Sequence, residues 1–231
     1  AALAADVRQV VFSSSCSVYG TPAVVPVDEQ QPIHPESVYA DTKAMVERVL
    51  HWYGVVHGVR SVSLRYFNAA GASFDAAIGE DWTYALNLIP VAIRALLTGD
   101  QELQVFGDDY PTPDGTCIRD YIHINDLAEA HVLALESLEA GGKTTAYNLG
   151  TGTGYSVREA VETARRVTGH AIPARECPRR PGDPPALVAG AERAAKELGW
   201  KPRFGNLESI LGTAWSWHRN HPSGYDDARD N

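Results

Sequence analysis

The amino-acid sequence predicts an α/β fold, in which part of a doubly wound parallel sheet is followed by a smaller mixed α/β domain. Two strands and the helix between them carry this prediction: "VRQVVFSSS", a helix from about Ser37 to His57, and "RSVSLRYFNAAG". Both strands contain β-branched and aromatic runs without alternation, which is typical of parallel strands buried on both faces. The strand–helix–strand order predicts a right-handed βαβ crossover.

The first domain is predicted to cover residues 1–70, with residues from about 119–137 returning to it. Its first strand follows the end of a helix almost at once. Because the neighbouring strands of such a sheet would have to come from upstream, we expect an N-terminal part to be missing from this chain. The connecting helix has apolar residues at helical spacing. They are Val38, Met45, Val46, Val49, Leu50 and Tyr53.

The second domain is predicted to cover residues 71–225, and residues 226–231 form a tail. In order, we expect a helix in "NLIPVAIRALLTGD" that ends at Gly99, a strand in "ELQVFG" and a turn-rich loop in "DDYPTPDGTCIRD". A helix follows in "IHINDLAEAHVLALES", where Asp126 and Glu129 have the spacing of a capping box. The pattern of "TAYNLGTGTGYSVREAVETARRVTG" is typical of a strand, a glycine loop and a helix, and two short helices end the chain.

The glycine loop "NLGTGTGYSV" has the position of a dinucleotide fingerprint but not its spacing. Gly150 and Gly152 are followed by Tyr155, where a third glycine would be required. Ser156 and Glu159 have the spacing of a capping box, which accounts for the helix start without a ligand. We therefore interpret this loop as structural.

Charge and cysteine content limit the classes of protein to which the chain can belong. The 231 residues carry 20 Lys and Arg against 29 Asp and Glu, a net charge of −9. This balance argues against nucleic acid or an anionic membrane as partners, and a small anionic ligand would need arginines that gather locally. The three cysteines, Cys16, Cys117 and Cys177, stand in no CxxC motif, which fits a reducing cytosol and offers no metal site. No apolar run reaches the roughly 18 residues of a membrane span.

Tyr39 and Lys43, in "SVYADTK", stand four positions apart near the start of the first helix. Side chains at this spacing are neighbours on one helix face, and an amphipathic surface pair is the usual explanation. A free tyrosine is a poor base at neutral pH, because its pKa is about 10. An ammonium about 6 Å away stabilises a phenolate by about 2.8 kcal/mol at an effective dielectric of about 20. Lowering a tyrosine pKa by about 3 units takes roughly 4 kcal/mol, so the pair is a candidate general base together with a second positive charge, such as an oxidised nicotinamide ring.

The strand that precedes this helix ends in serines, which are Ser13, Ser14, Ser15 and Ser17. In an open α/β sheet, ligands bind beyond the carboxyl ends of the strands, so these hydroxyls can meet a substrate. Alternatively, they satisfy their own backbone at the strand exit. A serine at a strand end followed by Y-x-x-x-K on the next helix is much more specific than either feature alone.

This combination resembles the extended short-chain dehydrogenase/reductase group and, within it, the UDP-glucose 4-epimerases. The resemblance runs along residues 7–225 and is carried by "FSSSCSVYG", "YADTK", "LRYFNAAGA", "FGDDYPTPDGTCIRDYIHINDLA" and "RRPGD". It implies that the first domain is part of an NAD-binding Rossmann domain and that the second binds a UDP-sugar. The related 4,6-dehydratases have Thr-Asp-Glu where this chain has Ser15, Cys16 and Ser17, so dehydration is not expected.

The resemblance implies interconversion of UDP-glucose and UDP-galactose, through oxidation at C4 and reduction of the 4-keto sugar on its opposite face with tightly bound NAD. Two alternatives stay open. One is an epimerase for another UDP-sugar, such as an N-acetylhexosamine or a pentose, and the other is a non-catalytic fragment that binds nucleotide sugars. The isolated chain is expected to be inactive, because it lacks the glycine-rich front that grips the cofactor. The complete protein is expected to be a cytoplasmic homodimer.

The resemblance also implies roles for individual residues. Ser15, Tyr39 and Lys43 would be catalytic, and no metal is implied. NAD would contact Ser13, Ser14, Tyr39, Lys43 and Tyr66. The substrate would contact Ser15, Ser17, Phe67, Asn68, Asn87, Leu88, Val105, Phe106, Arg119, Arg180, Asp183 and Leu187.

Within the substrate set, different residues would meet different parts of the ligand. Arg119 and Arg180 would hold the pyrophosphate, because guanidinium forks suit phosphate oxygens. Asp183 would bind the uridine ribose, and Val105 and Phe106 would line the uracil. Leu187 stands at a position linked to sugar size and favours glucose and galactose. The neighbouring Arg179 is expected to face solvent.

Overall fold

The computed structural model describes residues 1–81, 85, 87–99 and 102–225, and the predicted tail at 226–231 lies outside the described residues. The strands are β1 (Gln9–Ser13), β2 (Arg60–Tyr66), β3 (Asn68–Ala70), β4 (Leu103–Phe106), β5 (Ile118–His123), β6 (Thr145–Leu149), β7 (Gly154–Ser156), β8 (Ala174–Cys177) and β9 (Ala186–Leu187). The α-helices are α1 (Val38–His57), α2 (Leu88–Thr98), α3 (Ile124–Glu139), α4 (Val157–Thr168), α5 (Glu192–Glu197) and α6 (Leu207–Asn220). Short 3₁₀ helices lie at Leu3–Ala5 and Cys16–Tyr19.

β1, β2 and β6 form a parallel sheet in that order. β2 is its central strand, and its Val62 and Leu64 are buried in one cluster with Leu138 of α3. Because alternate residues of a strand point to opposite faces, Arg65 lies on the other face, where it meets α1. The two helices therefore cover opposite faces of β2, and the predicted parallel βαβ arrangement is confirmed.

The sheet also takes in segments from later in the chain. β6 pairs with β2 in parallel, although it lies in the range 71–225 that the sequence assigns to the second domain. α3 packs on β1 and β2, within the region that was expected to return to the first domain. Tyr147 and Leu149 of β6 are buried. Because a parallel strand of this kind is stabilised when both its faces are covered, β6 is stabilised by joining this sheet. The division of the chain at residue 70 stays a prediction.

α1 has the predicted bounds, but the face that it buries is not the one that carries the apolar stripe. Its N-cap is Ser37, whose hydroxyl accepts a hydrogen bond from the Ala40 amide at 3.2 Å, and it ends at Gly58, whose φ is 69°. The apolar stripe faces outwards, since Val38 is 84 % exposed and Val49 is 52 % exposed. The buried residues of the helix are alanines. The helix therefore packs on the sheet through its smallest side chains.

β5 is the centre of the second sheet. It is parallel to β3 and β9 and antiparallel to β7, while β4 pairs with β8 separately. α2, α4 and α6 pack together around Ile93, Ile210 and Leu211. α2 ends at the predicted Gly99, whose φ is 66°. None of the helices in the described part of the chain is both long and apolar enough to cross a membrane.

The predicted capping box at the start of α3 is wrong. The helix begins three residues earlier, after His123, whose Nδ1 accepts a hydrogen bond from the Asn125 amide at 3.1 Å. The Asp126 carboxylate instead accepts hydrogen bonds from the Arg203 and Phe204 amides, both at 2.9 Å. A distant loop supplies these donors, and no local spacing indicates it.

Candidate active site

The tip of β1 turns directly into the 3₁₀ helix that contains the predicted serines. Ser15 is the N-cap of this helix, and its Oγ accepts hydrogen bonds from the Ser17 amide at 3.2 Å and the Ser17 hydroxyl at 2.9 Å. Ser14 is buried, and its hydroxyl donates to Glu47 at 2.5 Å. The serines therefore do satisfy the strand exit. Both bonds from Ser17 use Ser15 Oγ as the acceptor, and a hydroxyl has one donor besides its two acceptor sites.

The predicted pair on α1 is attached to this strand tip. Lys43 Nζ donates to the Ser13 carbonyl oxygen at 2.9 Å and lies 5.5 Å from the centroid of the Tyr39 ring. It also lies 5.2 Å from the centroid of the Phe12 ring. Tyr39 is 54 % exposed, so a ligand can reach its phenol from outside. The structure thus brings together Tyr39, Lys43 and the segment that holds Ser15.

Tyr66, the last residue of β2, lies beside the same tip. Burial raises the pKa of Tyr66, and a hydrogen bond with the Ser13 hydroxyl partly offsets this. The Ser13 Oγ is also 3.0 Å from His131 Nε2, and His131 Nδ1 is 2.8 Å from the Leu127 carbonyl. Sequence reasoning missed His131, because its position on α3 shows no motif that points towards β1.

A cavity of about 400 Å³ lies beyond the end of β2. It is formed by β3, the start of α2, β4, β5 and the loop before β9. Seven of the predicted substrate residues line it. They are Asn68, Asn87, Leu88, Phe106, Arg119, Arg180 and Asp183.

Three arginines line this cavity, Arg94, Arg119 and Arg180, together with the acidic Glu102 and Asp183. Arg119 is largely enclosed, its Nη2 lies 2.8 Å from Oδ1 of Asp183, and its Nη1 donates to the Pro184 carbonyl at 2.9 Å. The Arg180 guanidinium is exposed and stacks on the Phe106 ring, 3.8 Å from its centroid. A stacked guanidinium keeps its in-plane N–H donors free for an anion.

Arg179, which precedes Arg180 in the sequence, lies at the surface, as expected. Arg179 forms an ion pair with Asp109 at 2.6 Å and packs over the Tyr110 ring. The pair with Asp109 raises the pKa of Arg179. Arg179 therefore has its own acidic partner outside the cavity, whereas Arg180 stacks on the Phe106 ring at the cavity wall.

Three predicted substrate residues are buried in the protein interior. Phe67 and Leu187 belong to one apolar cluster with Cys16, which follows Ser15 at the strand tip. Val105 is also buried, because alternation along β4 directs Gln104 and Phe106 to the cavity instead. A contact between Val105 and a ligand in this cavity would have to come from its backbone.

The glycine loop between β6 and β7 is held from inside the protein. The buried Asp120 carboxylate accepts hydrogen bonds from the amides of Thr151 and Gly152, both at 2.9 Å, and of Ala189 at 3.1 Å. Burial raises the pKa of Asp120, and these hydrogen bonds oppose that effect. The loop's amides are therefore not directed at a pyrophosphate.

The helix that follows this loop begins as the sequence predicts. Ser156 and Glu159 form a capping box at the start of α4, with each side chain accepting from the other residue's amide. This capping box accounts for the start of α4 without a ligand, in agreement with the interpretation of the glycine loop as structural.

Comparison with known proteins identifies the family to which this fold and site belong. A sequence model described as the NAD dependent epimerase/dehydratase family matches residues 1–150, well over half of the chain. The chain belongs to the NAD dependent epimerase/dehydratase family.

Individual members of the epimerase/dehydratase family are closely similar. A curated UDP-glucose 4-epimerase of Halalkalibacterium halodurans is 47 % identical over 220 residues, which cover 95 % of this chain and 66 % of that protein. A crystal structure of UDP-glucose 4-epimerase from Brucella ovis in complex with NAD has a TM-score of 0.90 at 45 % identity, covering 97 % of this chain and 68 % of that one.

A third relative carries a nucleotide as well. The UDP-glucose 4-epimerase structure from Bifidobacterium longum in complex with NAD+ and UDP has a TM-score of 0.90 at 39 % identity, covering 97 % of this chain and 67 % of that one. The present chain thus spans about two thirds of the length of the relatives it matches.

The strand tip of this epimerase/dehydratase chain offers hydrogen-bond donors of the kind that would hold part of the family's cofactor, NAD. Lys43 has three N–H donors, of which one goes to Ser13, so others can reach ribose hydroxyls. Tyr66 presents a half-buried ring and hydroxyl beside them. No group of three or more His, Cys, Asp or Glu side chains in the described part of the chain is arranged to hold a metal ion.

Proposed function

We propose that the complete protein containing this chain interconverts UDP-glucose and UDP-galactose, with NAD as a cofactor that stays bound. The observation that carries the proposal is the hydrogen bond from Lys43 to the Ser13 carbonyl. It joins the Tyr39–Lys43 face of α1 to the strand tip that holds Ser15. The activity named for the relative from H. halodurans supports the same reaction.

Tyr39 and Ser15 would handle the proton of the sugar's 4-hydroxyl. The Lys43 ammonium beside the Tyr39 ring stabilises a phenolate, which removes the proton as C4 is oxidised. The Ser15 hydroxyl, whose oxygen already accepts from Ser17, donates to the sugar oxygen and holds it. Bound NAD would supply the hydride chemistry at C4, as acceptor in the oxidation and as donor to the opposite face in the reduction. Tyr39 then gives its proton back to the sugar oxygen, so no net oxidation results.

The cavity would bind the UDP part of the substrate. Arg180 and Arg119 would supply guanidinium donors for the pyrophosphate. Because the protein has a net charge of −9, the positive charge that binds an anion must be gathered locally. Asp183, already bonded to Arg119, is placed to accept from ribose hydroxyls. The remaining wall, from Asn68, Asn87, Leu88 and Phe106, offers amides and apolar surface to the sugar and the base.

The other residues at the strand tip would complete the site. Ser13, hydrogen-bonded to both Tyr66 and Lys43, would face the nicotinamide together with Tyr66, Tyr39 and Lys43. Ser17, which is partly buried and bonded to Ser15, would steady that hydroxyl at the sugar. The predicted contact of Ser14 with the cofactor stays a prediction, since its hydroxyl donates to Glu47.

The sugar is proposed to be glucose or galactose without an N-acetyl group. Leu187 packs in one cluster with Phe67 and Cys16, so a branched apolar side chain fills the space behind the strand tip. We propose that this filling from behind, and not a direct contact, limits the room for a larger sugar. This observation favours the two hexoses over N-acetylhexosamines.

We further propose that the complete protein is a cytoplasmic homodimer. The exposed stripe of α1, which includes Val49, Trp52 and Val56, offers apolar surface to a second copy. Cys16, Cys117 and Cys177 are free thiols, which fits a reducing compartment.

The test is turnover by the complete protein without added cofactor. UDP-galactose, UDP-N-acetylgalactosamine and a UDP-pentose would be supplied in turn, and each epimer would be separated by chromatography. We expect conversion of UDP-galactose to UDP-glucose, with the N-acetylated sugar at least about 10-fold slower. Binding of UDP without conversion of any sugar would contradict an enzymatic function and favour a binding protein.

A further inference from the structure

Glu47 lies one turn beyond Lys43 on α1 and forms a buried ion pair with Arg65 of β2. Two guanidinium nitrogens meet the carboxylate, with Nε to Oε1 at 3.0 Å and Nη2 to Oε2 at 2.5 Å. The Arg65 and Glu47 side chains are 10 % and 14 % exposed. This bidentate contact fixes the direction of both side chains, because a planar guanidinium meets a planar carboxylate along two bonds.

The same carboxylate also holds the tip of β1. The Ser14 hydroxyl donates to Oε1 of Glu47 at 2.5 Å. One helical turn earlier, Lys43 donates to the Ser13 carbonyl at 2.9 Å. Two consecutive residues of the tip are therefore bonded to two consecutive turns of α1, and Ser15 is the next residue along the chain.

The ion pair is in turn anchored to the rest of the sheet. Arg65 Nη1 donates to the Tyr19 hydroxyl at 2.9 Å, and that hydroxyl donates to Oδ1 of Asn148 on β6 at 2.8 Å. Tyr19 is the last residue of the 3₁₀ helix that has Ser15 as its N-cap. The bonds thus fix both ends of the 14–19 segment against α1 and the sheet.

We propose that Glu47 and Arg65 are positioning residues for the epimerisation. Their ion pair sets how far α1 lies from the tip of β1, and so sets the separation between the Tyr39 phenol and the Ser15 hydroxyl. They act through Ser14 and the adjoining turn of α1, and the inference rests on the proposed function. An error of about 1 Å in such an alignment can lower a rate about 100-fold.

Stability alone is a weak explanation for this pair. Taking two charges out of water is costly, and replacing a buried ion pair by apolar side chains of similar size is often neutral or stabilising. Removing only one partner is strongly destabilising, because the other charge is left buried and unpaired. A pair that aligns catalytic groups should therefore be replaceable without loss of stability but not without loss of rate.

The test compares Glu47→Met, Arg65→Met and the double variant in the complete protein. The matched control is Arg60→Met at the opposite end of β2, where Arg60 donates to the carbonyls of Leu138 and Gly142. Four quantities are measured for each protein: the midpoint of chemical unfolding, kcat, KM for UDP-galactose, and hydrogen exchange of the backbone amides of residues 13–17 by mass spectrometry.

We expect the double variant to regain the unfolding midpoint that each single variant loses, while its kcat stays at least about 10-fold low. Its KM should stay within about 2-fold, because Arg119 and Arg180 hold the nucleotide elsewhere. Exchange at 13–17 should rise in the double variant and not in Arg60→Met. Recovery of kcat together with stability, or unchanged exchange at the tip, would overturn the inference. A wild-type protein that shows no turnover would instead overturn the proposed function. The exchange result would then show by itself whether Glu47 and Arg65 hold the tip of β1.

Discussion

Arg119 and Asp183 form an ion pair at the wall of the cavity, with Nη2 2.8 Å from Oδ1. The sequence assigned the two residues to different parts of the ligand, yet the structure joins them. The carboxylate orients the guanidinium before any substrate arrives, and it also offsets its charge. The charge of Arg119 is therefore partly offset by Asp183, whereas the exposed Arg180 guanidinium stacks on the Phe106 ring.

Replacing Arg180 is predicted to weaken substrate binding and to leave the chemical step nearly unchanged. Arg180→Met should raise KM for UDP-galactose at least about 10-fold, with kcat within about 3-fold. Arg179→Met is the matched control, since Arg179 pairs with Asp109 outside the cavity. Steady-state kinetics at constant ionic strength measure both. Equal effects of the two substitutions would show that neither arginine has a special place at the pyrophosphate.

Replacing Lys43 is predicted to slow the reaction without preventing binding of the nucleotide. Lys43→Met removes both the charge beside Tyr39 and the hydrogen bond to Ser13. An ammonium about 6 Å from a phenolate is worth about 2.8 kcal/mol, so kcat should fall about 100-fold. UDP affinity, measured by calorimetry, should stay within about 2-fold. Lys196→Met, at an exposed position of α5, is the control, and a loss of kcat there as large as at Lys43 would contradict the assignment.

Gly150 in the glycine loop and Gly212 in α6 offer a stability test, because replacing each by alanine is expected to change stability in opposite directions. A Cβ on Gly150 would lie 2.5 Å from the Ala189 Cβ and 2.6 Å from Oδ2 of Asp120, so Gly150→Ala should destabilise the fold by about 1–3 kcal/mol. A Cβ on Gly212 in α6 meets no atom within 4 Å, so Gly212→Ala should stabilise by about 0.5–1 kcal/mol. Denaturant unfolding of the complete protein compares the two. A neutral Gly150→Ala would mean that the loop is not packed against Asp120.

Stability is predicted to fall as the pH is lowered from 7 to 5, because of His218. Burial, with a contribution from His221, lowers the pKa of His218 to about 4. The unfolded chain binds a proton at about pH 6.5, whereas the folded chain resists it, so acid favours unfolding. This single group should cost about 2 kcal/mol at pH 5. Denaturant unfolding at the two pH values should give a smaller difference in His218→Leu, and the same difference in His51→Gln as in the wild type.

Where short-range spacing decides the structure, the helix ends follow from the sequence. The bounds of α1 follow from the cap at Ser37, and the start of α4 follows from Ser156 and Glu159. The stacking of Tyr39 and Lys43 on one helix face is equally local. These features depend on backbone geometry within a few residues, so they could be derived before any fold was known.

Features that depend on partners far along the chain could not be derived in this way. Asp126 has the spacing of a cap, but amides some 77 positions away hold its carboxylate. The apolar stripe of α1 indicates a helix without showing which face the sheet covers, and the covered face is alanine. Glu47 follows Lys43 at helical spacing, yet its partner Arg65 on another element cannot be read from that spacing.

The most direct test of the account is the Tyr39→Phe variant of the complete protein. Turnover of UDP-galactose and affinity for UDP would be measured on the same samples, with Tyr53→Phe, an exposed tyrosine on the same helix, as the control. We predict that Tyr39→Phe loses kcat at least about 100-fold, with UDP affinity within about 2-fold. Wild-type turnover in Tyr39→Phe would contradict the claim that this phenol, held beside Lys43 at the strand tip, transfers the proton.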